Sequence, residues 1–440
     1  MKQIRIAGRS AVDISRAVEQ AIHAGQLAAD QVVPTVRELA ASLKVSPATV
    51  AAAYRALQAR GLLVGQGRRG TRVRGHVQPH ARAVARPVVR EGLFDLATGN
   101  PDPELLPSLD AALRALAGVQ TFYDAAPEVR ALTTFARAEF AADGINAESL
   151  VVTSGALDAI ERILREHARP GDHVLIEDPV APAILDILTT LGMVPAPVPV
   201  DAEGPRVEPV DAALRRRPRA MIVTPRAQNP TGAVISRARA IDLRRLLRAQ
   251  PELLVIENDP CAPITGAALT TLTEDRLHWA AVRSTSKYLG PDLRVALVAG
   301  DALTLARVRG RQAAGPRWVS RLLQHLVLSL WSDPANGRRL ARAADVYAYR
   351  RGAFVQALAA NGVTVSAVSG FNVWVPVRHE ATIVQQLSDR GWAVAPGERF
   401  RLQAAPGIRV TTSVLEPADA IRCASDLAEA LQRQGGPALA

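Results

Sequence analysis

The chain has 440 residues, 48% hydrophobic and 22% charged, too long for one core and too apolar for a disordered polymer. Its net charge is +11, yet residues 1–90 hold 15 Lys+Arg against 4 Asp+Glu, while the other 350 balance at 38 against 38. The whole excess therefore lies in the first fifth of the chain, which points to a polyanion partner for that segment alone. No run reaches the roughly 18 uncharged apolar residues of a membrane span and the start has no apolar stretch behind its basic residues, so a soluble, cytoplasmic protein with no membrane partner is expected. Cys261 and Cys423 are the only cysteines, outside any CxxC pair, so two reduced thiols and no structural metal are expected.

In chain order, Ile14, Val18, Ala21 and Ile22 recur at helical spacing, and Gly25 stands where that helix would end. A second helix fits Val36, Leu39, Ala40 and Leu43. Ser46-Pro47 then supplies an N-cap and a first-position proline for a third helix through Val50, Tyr54 and Leu57, stopping at Gly61. Two short helices joined by Lys44-Val45-Ser46 make a helix-turn-helix. After Gly61, the run 62–64, a turn over 65–70 and the run 71–74 predict a hairpin wing with Arg68 and Arg69 at its tip. The first domain thus spans 1–74.

Residues 75–93 mix proline, histidine and arginine without periodicity and are expected to form a linker. From 94 to 440 the pattern predicts an α/β domain. Strand-like runs at 150–153, 173–177, 220–224, 253–257, 279–284 and 295–300 alternate with helix-length segments, which implies a mainly parallel sheet covered on both faces. The large part covers about 94–335, and about 340–435 alternates on a smaller scale, as a small α+β lobe.

Of the 53 basic side chains, three are lysines: Lys2, Lys44 and Lys287. Arginine stays protonated and cannot form an imine, whereas lysine can, so Lys287 is a Schiff-base candidate. It sits in Arg283-Ser-Thr-Ser-Lys-Tyr-Leu-Gly-Pro-Asp-Leu-Arg294, where hydroxyls and an arginine can hold an anion beside the amine. Upstream, Thr153-Ser154-Gly155-Ala156 opens a helix whose free N–H groups suit a phosphate. Asn229-Pro230-Thr231-Gly232 follows the run at 220–224.

These elements, in order and spacing, resemble the fold-type-I aminotransferases that use pyridoxal 5'-phosphate (PLP). The N-terminal part, through Val33-Pro-Thr-Val-Arg-Glu-Leu-Ala40, Ser46-Pro-Ala-Thr-Val50 and Gly61-Leu-Leu63, resembles the GntR winged helix. The fusion is similar to the MocR group of transcription regulators and, within it, to the regulators of vitamin B6 salvage. The resemblance implies that Lys287 forms the imine with PLP, that Gly155, Ala156, Ser284, Ser286 and Arg294 hold its phosphate, and that Asn229 bonds its ring hydroxyl. It further implies that Arg409 pairs with a carboxylate and that Tyr123 reaches the partner's phosphate in a homodimer. Asn258 stands where the family has an aspartate against the pyridine nitrogen, Cys261 where it has a nearby tyrosine, and Val180-Ala181 where it has a stacking aromatic. Asp259 substitutes for that aspartate only if the strand ends before it.

A neutral amide holds the ring proton weakly and weakens the electron sink, so a sensor without transaminase competence is expected. A working aminotransferase with an accessory DNA-binding domain and a cofactor-free scaffold are the alternatives. On double-stranded DNA, Ser46, Ala48 and Thr49 at the start of the third helix meet base edges or phosphates, while Arg37, Lys44, Arg68 and Arg69 neutralise phosphates. The effector is PLP or an amine that reacts with it.

Overall fold

The computed structural model describes residues 6–23, 26–28, 31–59, 62–65, 70–73, 89–117 and 120–433. They form two compact units, an N-terminal one and a second that holds the bulk of the chain beyond residue 89.

The N-terminal unit contains α1 (Ala11–His23), α2 (Val36–Leu43), α3 (Pro47–Ala59) and the strands β1 (Leu63–Gly65) and β2 (Thr71–Val73). Thr35 caps α2 in a reciprocal box with Glu38, and Lys44 ends it in the left-handed conformation, so the turn into α3 is fixed at both sides. Ile14, Val18, Leu39, Val50, Leu57 and Leu63 are buried in one core, and the Tyr54 hydroxyl donates to the Pro34 carbonyl at 2.8 Å. β1 and β2 pair antiparallel with Leu63 opposite Val73. The predicted wing-tip residues Arg68 and Arg69 lie outside the described residues.

The second unit contains β3 (Phe94–Leu96), β4 (Leu150–Thr153), β5 (His173–Asp178), β6 (Val194–Asp201), β7 (Gly204–Pro205), β8 (Ala220–Val223), β9 (Leu254–Asp259), β10 (Trp279–Ser284), β11 (Ala296–Gly300), β12 (Asn372–Pro376), β13 (Trp392–Pro396) and β14 (Gly407–Thr411). Eight strands form one sheet in the order β4-β11-β10-β9-β8-β5-β6-β7. Neighbours from β10 to β5 run parallel, and β11 runs against both β10 and β4. β4, β8, β9, β10 and β11 are buried at every residue, as a sheet covered on two faces requires. The sequence pattern does not announce β6, because Pro195, Pro197 and Pro199 interrupt it; prolines at alternate positions strip the donors from one edge, which suits a strand near the sheet's margin.

The small lobe is a four-stranded sheet in the order β12-β14-β13-β3. Its last member comes from the start of the domain: Phe94 pairs with Trp392 in parallel register, and the Phe94 N–H donates to Gly391 at 2.8 Å. The described end of the expected linker also belongs to this lobe, since Arg90 donates to Ser388 Oγ and Val89 packs beside Phe400. The chain thus enters the small lobe first, crosses into the large sheet, and returns along the helix Pro334–Ala360.

Among the described residues Glu177 and Glu257 form no ion pair; they are buried on β5 and β9, and burial pushes each up to about 7. The folded state therefore binds their protons at a pH where the unfolded chain has released them, and stability falls as the pH rises from about 5 to about 7. Glu257→Gln keeps an acceptor for the Leu272 N–H and is expected to flatten that slope by a few degrees in melting temperature, read from thermal unfolding across this range.

Candidate functional site

Lys287 lies three residues beyond β10 and is half-buried. Its Nζ donates to the Gly99 carbonyl at 2.6 Å and stands 6.0 Å from the Phe371 ring centre. Gly99 has φ +70°, and a Cβ there would meet Arg409 Nη2 at 3.0 Å, so glycine is needed both for the turn and for the approach. Arg409, on β14, is 5% exposed; it donates to the Ala97 carbonyl and, at 3.2 Å, to Asn229 Oδ1, with its guanidinium 4.8 Å from the Phe400 ring centre. One chain of contacts thus joins Lys287, Gly99, Arg409 and Asn229. No carboxylate pairs with Arg409 among the described residues. Burial, and then the like charge of Arg399, pull it down to about 10. The Asp95 carboxylate opposes this through space without pairing with Arg409.

Gly155 precedes the helix Ala156–His167 and has φ +97°. A Cβ there would stand 2.6 Å from Arg294 Nη2, so only glycine lets the guanidinium lie across the helix's first turn. Arg294 is exposed and, among the described residues, pairs with no carboxylate. The open N–H groups of this turn add the positive end of the helix dipole. Ser284 ends β10, its Oγ accepting the Ser286 N–H at 3.3 Å.

Asn258 and Asp259 are separated by their strand. β9 continues through Asp259, so neighbouring side chains leave on opposite faces. Asp259 is held by Arg226 at 2.8 and 3.2 Å and by Arg283 at 3.4 Å, and Asp143 completes the cluster against both arginines. The alternative that Asp259 serves the ring nitrogen is therefore corrected: its carboxylate belongs to a four-charge cluster, and Asn258 leaves the strand on the opposite face. Cys261 is buried and its thiol pushed up to about 12 by desolvation, so it stays protonated. Val180 is buried and donates its N–H to the Phe400 carbonyl at 2.7 Å, and Ala181 directly precedes the helix Pro182–Thr190.

Tyr123 is 80% exposed and stands apart from these residues, edge-on to Trp318 at 5.7 Å with the Arg317 guanidinium 5.8 Å from its ring centre. In the N-terminal unit, Ser46, Ala48, Arg37 and Lys44 are exposed and Thr49 is half-buried.

Three supports of the site carry no signal in the sequence. Gly99 acquires its place only because β3 joins β13. Arg226 and Asp143 meet across 83 residues. Gln228 donates to the Pro179 carbonyl and accepts from both the N–H and the hydroxyl of Thr231, clamping the loop that presents Asn229.

Ser286 Oγ, Asn258 Oδ1 and Arg409 Nε are buried with no partner among the described residues. Leaving such atoms unpaired costs about 1–3 kcal/mol each. A phosphate for the cradle between Gly155 and Arg294 and an aldehyde for Lys287 answer what the fold leaves open, so these residues fit PLP.

Residues 91–426 match the class I and II aminotransferase family, and residues 11–73 match the gntR family of bacterial regulatory proteins. The vitamin B6 salvage pathway transcriptional repressor PtsJ of Salmonella typhimurium is 40% identical over 432 residues, covering 97% of this chain and 100% of that protein. Among solved structures, the kynurenine aminotransferase of Pyrococcus horikoshii aligns with a TM-score of 0.72 at 20% identity, over 78% of this chain and 92% of that one. LysN, the alpha-aminoadipate aminotransferase of Thermus thermophilus, aligns at 0.70 and 23% identity, over 81% and 98%. The chain belongs to the MocR group of GntR-family transcription regulators, in which a winged helix-turn-helix is fused to an aminotransferase domain of fold type I.

Proposed function

We propose that this protein is a cytoplasmic, homodimeric transcription regulator that senses PLP, or an amine reacting with it, and alters its grip on an operator. One observation carries the reading: the only lysine of the second unit follows a buried, unpartnered hydroxyl, Ser286 Oγ, while position 258 is an amide where the resemblance implies a carboxylate.

When bound, PLP supplies an aldehyde that captures primary amines and a ring that withdraws electrons. Lys287 provides the amine that retains it. Arg294, Ser284, Ser286 and the backbone of Gly155 and Ala156 hold the phosphate, and Asn229 orients the ring hydroxyl. Arg409 takes the carboxylate of an amino-acid effector in exchange for its bond to Asn229. Asn258 presents no carboxylate to hold a proton on the ring nitrogen, and Asp259 is committed elsewhere, so binding survives where turnover does not. Tyr123, which is exposed, serves the partner's phosphate in the proposed homodimer.

The reading is tested by incubating the purified full chain with PLP, an amino acid and a keto-acid acceptor. The expected result is a bound chromophore without sustained keto-acid formation, and Asn258→Asp should raise amine-to-ketone turnover by at least tenfold. Steady turnover by the unaltered chain would overturn it.

A further inference from the structure

We infer that the second unit makes its own contact with duplex DNA: Arg216, Arg217, Arg219 and Arg307, at the end of the large sheet opposite Lys287, neutralise backbone phosphates. The inference rests on the chain being a DNA-binding regulator, as its gntR match supports, and assigns part of the grip to the stretch of chain whose charges balance.

That balance hides a local excess. Residues 215–219 read Arg215-Arg-Arg-Pro-Arg219, four cations without an acid, and they lead from the helix Val207–Leu214 into β8. Arg215 pairs with Asp211 of that helix at 2.7 Å. Arg216, Arg217 and Arg219 are exposed and, among the described residues, pair with no carboxylate. The negative end of a helix favours one cation, but adjacent exposed guanidiniums repel one another, and a line of phosphates is what relieves them. Arg217 is a second, independent sign. Its φ is +52°, the left-handed position at which a helix ordinarily ends in glycine, so the chain keeps a charge where glycine would relieve the backbone.

Arg219 directly precedes β8, which runs parallel to β9 and β10, so it stands at the edge where these strands begin, whereas Lys287 lies beyond their far ends. Exposed Arg307, on the helix Ala302–Ala313, shares that edge. His167 links the two: its Nε2 is 3.0 Å from Thr304 Oγ1, and burial, then Arg307 and more weakly Arg219, pull the imidazole down to about 4. Asp301 opposes them through space, but its carboxylate is taken up by the Trp279 and Thr304 N–H groups at 2.9 Å. Guanidinium forks match phosphate oxygens in pairs and stay charged at any physiological pH. The polyanion we assign is a duplex, because the same chain carries a head that holds one and so keeps phosphates at high local concentration for this edge.

The test selects an operator from a randomised pool with the full chain and measures affinity for it, flanked by several turns of unselected DNA, across a range of salt. Changing Arg216, Arg217 and Arg219 together to Gln should lower the salt slope by about 2.7, so that between about 50 and 200 mM salt the unaltered chain loses about 40-fold more affinity than the variant. The loss at low salt should be the same factor on a scrambled duplex, since phosphate contacts carry no sequence information, and the PLP chromophore should be unchanged. Arg217→Gly should lower the slope by about 0.9 without lowering the melting temperature, because it removes the charge and the left-handed strain together. Equal slopes for the unaltered chain and the triple variant would overturn the inference while leaving the DNA-binding reading intact. Failure of the pool to enrich any sequence would overturn both.

Discussion

Lys287→Ala should yield a chain that is colourless after desalting from excess PLP and carries no borohydride-fixed cofactor mass. Every other basic residue beyond Lys44 is an arginine, which cannot form the imine, so no neighbour can take over. The loss is expected to be complete, in contrast to the graded loss from removing a hydrogen bond. Because the amine donates to the Gly99 carbonyl, alanine leaves that acceptor open in a half-buried site. Lysine is thus also part of the local packing, and Lys287→Arg is the control that keeps the charge while forbidding the chemistry. Lys287 lies outside the compact unit that holds the head, so the variant should still bind its operator but lose the response to PLP. Mass spectrometry after reduction, alongside mobility shifts, checks both halves. Retention of fixed cofactor by the variant would show that another amine holds it.

The second large effect belongs to Gly155. Any side chain there combines an unfavourable φ of +97° with a Cβ only 2.6 Å from the Arg294 guanidinium, so Gly155→Val must displace the arginine. Losing one charge-assisted bond to a phosphate costs about 1.5–3 kcal/mol, which corresponds to a roughly 10- to 150-fold weaker equilibrium affinity for PLP. Arg294→Ala should produce a similar loss. The double variant should lose little more than either single one, since both act through the same guanidinium. Fluorescence titration with PLP gives all three affinities; additive losses would mean that glycine and arginine serve the phosphate separately.

These two expectations draw on features of unequal visibility in the sequence. Lys287 stands out because lysine is nearly absent from the chain, and the head's helices are announced by Ser46-Pro47 and the spacing of Val50, Tyr54 and Leu57. Gly155 is legible as a turn residue, but its need for the absence of a Cβ appears only when Arg294 arrives from 139 residues away. Gly99 carries no local signal at all, since its contact with Lys287 depends on the first strand of the domain joining the lobe formed by the last ones. The ambiguity between Asn258 and Asp259 is likewise beyond sequence pattern: one strand residue more or less exchanges the two faces, and the deciding fact is the pair of arginines that binds Asp259. Alternate prolines hide β6, because a strand near the sheet's margin tolerates what an interior strand does not.

If cofactor pocket and DNA-binding head share one equilibrium, PLP must bind the two DNA-affinity states unequally. Simultaneous titration of the full chain with PLP, following visible absorbance and affinity for its selected operator in the same samples, addresses this directly. The predicted result is a change in operator affinity that saturates with the chromophore and is missing in Lys287→Ala. An operator affinity that stays constant while the chromophore rises to saturation would contradict it.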